Sequence, residues 1–330
     1  MSELRKDPVV ERWVIISGGS QQCHEIPVKT AETKDHELCP FCPGNEHLCP
    51  PEILANRPPD SHPDDARWNL RVVPNRVPVL VVEEELIKSG EGLYDKISGI
   101  GANEVIIETN RHTLRQSEME IKELETIFWA YRDRMIDLEN DRRIRYVHIY
   151  RNQGCQAGST IDHPYSVLMA LPIIPQTLQE ELDGARRHFE YKSRCVYCDI
   201  IRQEIQHKER IIIETRHFVA FQAFAPRQPF ETWILPKRHS AMFPEVEPGE
   251  IRDLAKIFKD VFSRLDAALN FPDYNYVIHT APFGVACREF YHWHLEILPR
   301  VSRPSGCEWG SGVYINSTPP EEAAQYLRDL

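Results

Sequence analysis

The 330-residue sequence predicts an α+β fold of two tandem repeats, each a mainly antiparallel sheet with one amphipathic helix packed on it. Three observations carry the prediction. A Cys-x-x-Cys pair occurs twice, at Cys39/Cys42 and at Cys195/Cys198. Each pair is followed by a short β-branched segment closing on Arg-His: "EVIIETNRH" ends at His112 and "ETWILPKRH" at His239. A second histidine then follows each of these, His163 after 51 residues and His292 after 53. Order and spacing repeat together, which marks a duplicated unit.

Both Arg-His segments read as buried strands running into loops, because their apolar clusters are short and bounded by turn-type residues. A helix comes next in each repeat. Ile121, Leu124, Phe128, Tyr131, Met135 and Leu138 recur at steps of three and four, as do Ile251, Leu254, Phe258, Val261 and Leu265. That spacing lays one apolar stripe along a 3.6-residue period, and the stripe needs a flat apolar partner, a sheet. Strands at "RYVHIY" (145–150) and "NYVIHT" (275–280) precede His163 and His292. The stretch "QTLQEELDGARRHFEYKSR" reads as a helix-rich linker, and the predicted division is 1–180 for the first repeat and 181–330 for the second. A chain of this length suits two domains, each able to bury a core.

Composition narrows the function. Hydrophobic residues make up 42% and charged residues 27%, with no apolar run long enough for a membrane span. The opening "MSELRKDPVVERWVII" has no signal-peptide core, so cytoplasm is the expected compartment. A formal charge of −11 with no basic run argues against nucleic-acid binding and leaves room for a small anionic ligand in a local basic pocket. Nine cysteines in such a chain point to metal ligands or buried thiols, not disulfides. Cys23, Cys49, Cys155, Cys287 and Cys307 stand outside the two pairs and read as buried or incidental.

In each repeat the cysteine pair and two histidines supply Cys₂His₂, the donor set of a four-coordinate structural zinc. The sets are Cys39, Cys42, His112, His163 and Cys195, Cys198, His239, His292. Two residues between the cysteines let both sulfurs face one ion, and histidines from distant strand ends would tie the knuckle to the sheet. The competing reading is a redox-active or accidental Cys-x-x-Cys. A redox role fits poorly, because neither pair opens a βαβ unit.

Further segments, "DPVVERWVII", "CPFCPGNE" with "PPEI", "WNLRVVPNRVPVL", "RNQGCQAGSTIDHP" and "HWHLEILPR", together resemble the galactose-1-phosphate uridylyltransferase family of the histidine triad superfamily. The resemblance runs through nearly the whole chain in the family's order. It implies two histidine-triad-like repeats, a homodimer, and ping-pong transfer of a nucleotide between a nucleotide sugar and a sugar phosphate through a nucleotidyl-histidine. It also implies metal at both Cys₂His₂ sets. Some members place iron in the second half, where His279 and His294, with Glu180 or Glu181, are rival ligands, and Glu296 stands beside them. Asn75, Asn152, Gly158 and Thr160 match residues that approach the nucleotide and its phosphates.

The family's active-site motif is His-x-His-x-Gln, whereas this chain has His163-Pro164-Tyr165-Ser166-Val167. The metal ligand is kept, and the nucleophile and the phosphoryl donor are replaced. A phenol with a pKa of about 10 is roughly one part in a thousand ionised at neutrality. After "WVIIS", the family's arginine-bearing segment is replaced by "GGSQQCHEIP". Three readings follow: a uridylyltransferase-type nucleotidyltransferase, a divergent nucleotide-sugar phosphorylase or hydrolase, or a binding protein for nucleotides or sugar phosphates without catalysis. The C-terminal "GSGVYINSTPPEEAA" resembles the plant ADP-glucose phosphorylase branch, which favours adenine as the base. His292-x-His294 in the second repeat lacks the Gly-rich approach that precedes His163, so the active site is expected in the first.

Overall fold

The computed structural model describes residues 2–17 and 39–330. The "GGSQQCHEIP" departure and Cys23 lie outside the described residues. The chain opens with β1 (Ser2–Lys6) and β2 (Trp13–Ser17). The first repeat then contributes β3 (Leu54–Asn56), β4 (Leu70–Pro74), a hairpin of β5 (Lys88–Glu91) and β6 (Tyr94–Ile97), β7 (Ala102–Ile107), α1 (Ile121–Glu139), β8 (Tyr146–Gln153) and β9 (Tyr165–Leu171). Two helices connect the repeats, α2 (Gln176–Lys192) and α3 (Val196–His207). The second repeat holds β10 (Ile211–Glu214), β11 (Phe218–Gln222), β12 (Thr232–Pro236), α4 (Pro248–Leu269), β13 (Tyr274–His279) and β14 (His294–Pro299). The chain ends with α5 (Gly306–Ser311), β15 (Tyr314–Asn316) and α6 (Pro320–Arg328).

The duplication is visible in the sheet. Ten strands join in the order β10-β11-β12-β14-β13-β8-β9-β7-β4-β3, so the two five-strand halves are the same sequence of strands read outward from the centre. The expectation was one sheet per repeat. Instead β8 and β13 pair antiparallel, with Tyr150 opposite Val277, and fuse the two into one surface. Burying both edges of the inner strands this way removes two unpaired rows of backbone groups.

The predicted helices form where the stripes place them. In α1, Leu124, Phe128, Tyr131, Met135 and Leu138 are buried, and in α4 all five predicted positions are. Each helix starts with a capping box, Glu120 with Glu123 and Glu247 with Glu250, which satisfies amides the first turn leaves open. Both lie on one face of the sheet and touch each other, the Phe128 and Phe258 rings meeting edge to face at 5.2 Å. On β9 the residues under the helices, Ser166, Leu168 and Ala170, are buried, and the alternate residues Tyr165, Val167 and Met169 face the other way, half-buried.

The predicted division at 180/181 falls inside α2. That helix packs on the N-terminal segment so closely that a Cβ on Gly184 would lie 1.8 Å from the Val9 carbonyl oxygen. β2 also pairs in parallel with β15, so residues from the two ends of the chain share a small three-stranded sheet.

Candidate functional site

Both predicted Cys₂His₂ sets are assembled, with their potential ligand atoms within 4.8 Å of one another. In the first, Cys42 Sγ lies 3.2 Å from His112 Nδ1 and 3.7 Å from His163 Nδ1, and Cys39 Sγ lies 3.8 Å from His163 Nδ1. In the second, Cys198 Sγ lies 3.4 Å from His239 Nδ1 and 3.6 Å from His292 Nδ1. Zinc–sulfur and zinc–nitrogen bonds at a tetrahedral angle place sulfur and nitrogen about 3.5 Å apart.

The imidazoles are also oriented as ligands. His163 Nε2 donates to the Thr109 carbonyl at 2.7 Å, His239 Nε2 to Arg288 at 2.7 Å and His292 Nε2 to Pro236 at 2.9 Å. Those bonds put the proton on Nε2 and turn the Nδ1 lone pair toward the thiols. Burial, with Cys39 alongside, pushes the Cys42 thiol up to about 12. In the second set the hydrogen bond from Cys195, together with His239 and His292, lowers Cys198 to about 3, and Cys195 is held protonated.

A third group, Glu181, His279, His294 and Glu296, is equally close-packed and buried. It settles the choice between two glutamates: Glu181 turns inward and Glu180 is exposed. His279 Nδ1 meets Glu181 Oε1 at 2.7 Å, Tyr291 donates to Glu181 Oε2 at 2.7 Å, and Arg227 pairs with Glu296. His292 belongs to the thiol group and His294 to this one.

The remaining predicted residues surround β9. Tyr165 sits opposite Ile107, its ring 5.2 Å from that of Phe41 in the first Cys-x-x-Cys knuckle. Among the described residues its hydroxyl has no hydrogen-bond partner. Val167 lies between Val105 and Tyr150 and brings no donor of its own for a phosphoryl oxygen. Beside them opens a cavity of about 360 Å³, lined by Pro40, Phe41, Cys49, Val73, Asn75 and Val105 among others.

Asn75 closes the end of β4, donating to Asn103 Oδ1 at 3.0 Å and accepting from the Val77 amide. Asn152 accepts from Asn275 Nδ2 at 2.7 Å and reaches the Gly158 carbonyl at 3.5 Å. Both therefore fix backbone, and Asn75 also lines the cavity. The glycine loop that follows Asn152 is held by the second repeat: Gln156 N donates to Asp273 at 2.7 Å, and a Cβ on Gly154 would lie 1.9 Å from that carboxylate. Gly158 adopts φ +89°, which disfavours any side chain. Thr160 is exposed in the following loop, next to Ile161, which lines the cavity.

Sequence reading missed the cavity walls. Phe41 and Cys49 carried a signal, lying inside and just after the knuckle, whereas Val73 and Val105 are recognisable only from strand register. Of the other cysteines outside the pairs, Cys155 and Cys307 are exposed and Cys287 is buried.

Comparison with known proteins finds the same pattern along the whole chain. Residues 2–175 match the model of the galactose-1-phosphate uridyl transferase N-terminal domain, and residues 181–302 match that of the C-terminal domain. An ADP-glucose phosphorylase of Arabidopsis thaliana is 36% identical over 99% of this chain and 93% of its own length. A galactose-1-phosphate uridylyltransferase of Thermotoga maritima is 30% identical over 100% of this chain and 98% of its own. The crystal structure of an Arabidopsis thaliana ADP-glucose phosphorylase with bound ADP-glucose superposes with a TM-score of 0.83 at 35% identity, covering 100% of this chain and 99% of that one.

Proposed function

The chain belongs to the galactose-1-phosphate uridyl transferase family, and from that premise we propose that it binds a nucleotide sugar of the ADP-glucose type without forming a nucleotidyl-histidine. The observation that carries this is the position of Tyr165. It stands on the cavity side of β9, two residues past the ligand His163, against Phe41 and with no base on its hydroxyl among the described residues. The base of the nucleotide fits the apolar cavity beside Phe41 and Asn75. Val167 removes the phosphoryl donor as well, so two parts of the transfer machinery are absent together.

Zinc is assigned to both Cys₂His₂ groups, on their sulfur–nitrogen separations and the Nε2 bonds that orient the imidazoles. The Glu181 group has the oxygen and imidazole donors suited to iron, but its carboxylates are already paired with His279 and Arg227. A homodimer is expected from the family. Two groups built on cysteine sulfur favour a reducing compartment such as the cytoplasm.

The test is calorimetric titration with ADP-glucose and UDP-glucose, followed by intact-protein mass. Binding of ADP-glucose with no mass gain is expected. A nucleotide-sized gain on the wild-type chain would overturn the proposal and make it a transferase with an unusual nucleophile.

A further inference from the structure

The second repeat holds a cavity at the position where the first repeat holds the one beside Phe41. Register makes the equivalence. In the first repeat, Val105 of β7 lies opposite Val73 of β4 and opposite Val167, which is four residues past the ligand His163. In the second, Trp233 of β12 lies opposite Phe221 of β11 and opposite Glu296, four residues past the ligand His292. Val73 and Val105 line the first cavity, and Phe221 and Trp233 line one of about 290 Å³. Knuckle residues take part in both, Pro40 and Phe41 in one and Val196 in the other, and Ala223 stands two residues past Phe221 as Asn75 stands two past Val73.

This second cavity has its own polar feature. Glu204 of α3 lines it and is 3% exposed. Its Oε1 accepts from Arg210 at 2.8 and 3.1 Å, but its buried Oε2 has no hydrogen-bond partner among the described residues. An unmet buried carboxylate oxygen is costly, and burial raises the pKa of this group accordingly. Asp199, the neighbouring carboxylate, is occupied by His188, Arg194 and Arg202. The walls are aromatic, from Phe221, Phe224 and Trp233.

We propose that this cavity is a second binding site, taking a planar amino-heterocycle of the adenine type whose N–H group donates to Glu204 Oε2. Aromatic walls stack such a ring, and the lone acceptor selects for an amine. Lys6 is outnumbered by Asp7, Asp199 and Glu204 around the opening, so a nucleoside or free base suits the site better than its phosphates. The site binds and does not catalyse. Trp233 stacks on His294 with centroids 5.3 Å apart and planes at 28°, and so stands between the cavity and the imidazole at the nucleophile's position.

The inference uses the register of the first cavity, not its proposed ligand, and the experiment separates the two. Adenosine is titrated calorimetrically into the full-length protein, into Ala223→Leu, which fills the second cavity, and into Gln203→Trp, which covers it from the exposed face of α3 and leaves the core untouched. Val105→Trp blocks the first cavity. The expected result is two binding events, one lost in both Ala223→Leu and Gln203→Trp, with inosine and AMP each weaker than adenosine by about tenfold at that event. A single event lost only in Ala223→Leu and Gln203→Trp supports the second site and counts against the base cavity of the first. A single event lost only in Val105→Trp overturns the inference and leaves the first reading intact, and no binding overturns it too.

Discussion

Tyr165 and His294 occupy the same place in the two repeats, each two residues past a histidine of a Cys₂His₂ group and each on the strand next to β7 or its counterpart β12. Their surroundings differ. Tyr165 is half-buried with its ring against Phe41, which lines an open cavity, whereas His294 is fully buried among Tyr197, Trp233 and His279 at 5.0, 5.3 and 4.8 Å. The imidazole that transfer chemistry would need is thus present in the repeat where nothing can reach it.

Restoring chemistry to the first repeat should therefore be possible by substitution. Tyr165→His is expected to gain a nucleotide-sized adduct with ADP-glucose where the wild-type chain and Tyr165→Phe gain none. Adding Val167→Gln returns a donor to the developing charge and should speed adduct formation by roughly 10²–10³-fold. Rapid-quench mass spectrometry measures both. Failure of the double variant to form any adduct would place the nucleotide's phosphorus elsewhere.

The metal groups should be separable. Cys42→Ser is expected to lower bound zinc from two to one per chain by elemental analysis and to loosen the knuckle that carries Phe41, weakening ADP-glucose binding. Cys198→Ser should remove the other zinc with little effect on that binding, since its knuckle lies in the second repeat. Both should melt several degrees lower, because metal bound only by the folded chain stabilises it. Equal loss of nucleotide binding in both variants would contradict the separation.

Much of this was readable in the residues because it rests on local patterns. The 3.6-residue stripes of α1 and α4 have few other solutions, and Cys-x-x-Cys with two matched histidines picked out the two Cys₂His₂ groups before any distance was known. What escaped were relations that no local pattern encodes. The pairing of β8 with β13 joins residues more than a hundred apart, and the hairpin of β5 and β6 is exposed, with no buried face to impress a period on the sequence. Val73 and Val105 look like any core valines until register places them on the cavity side. The choice of Glu181 over Glu180 likewise depends on the rotation of α2, which the linker's polar composition leaves open.

Beneath β9 lies a buried polar group that should be sensitive to removing one member. Glu108 receives Arg151, Ser166, Gln116 at 2.7 Å and Tyr131 at 2.9 Å, and Tyr131 meets Tyr276 at 2.7 Å. Arg151→Met strands the carboxylate and should cost about 3–5 kcal/mol in urea unfolding. Combining it with Glu108→Gln removes the charge and keeps an acceptor for Tyr131 and Ser166, so much of that loss should return. If the double variant is as unstable as the single, the penalty is one of packing and not of unpaired charge.

His148 supplies an acid-sensitive contribution that can be isolated. It lies between the rings of Tyr146 and Tyr150, at centroid distances of 6.2 and 5.2 Å, and burial, reinforced by His279, lowers its pKa to about 4. An unfolded histidine titrates near 6.5, so between those two values the unfolded chain binds a proton the folded chain does not. Stability therefore falls as pH drops from about 6.5 to about 4, by at most about 3 kcal/mol for this group, and less because its ring is only partly covered. Below the lower value both states are protonated and the slope from this residue vanishes. His148→Phe keeps a ring between the two tyrosines without a titrating nitrogen, so its stability should decline less over that window. The difference between the two unfolding free energies, measured from pH 7 to pH 4, is the readout, and parallel curves would mean that His148 reaches solvent freely enough to keep its ordinary pKa.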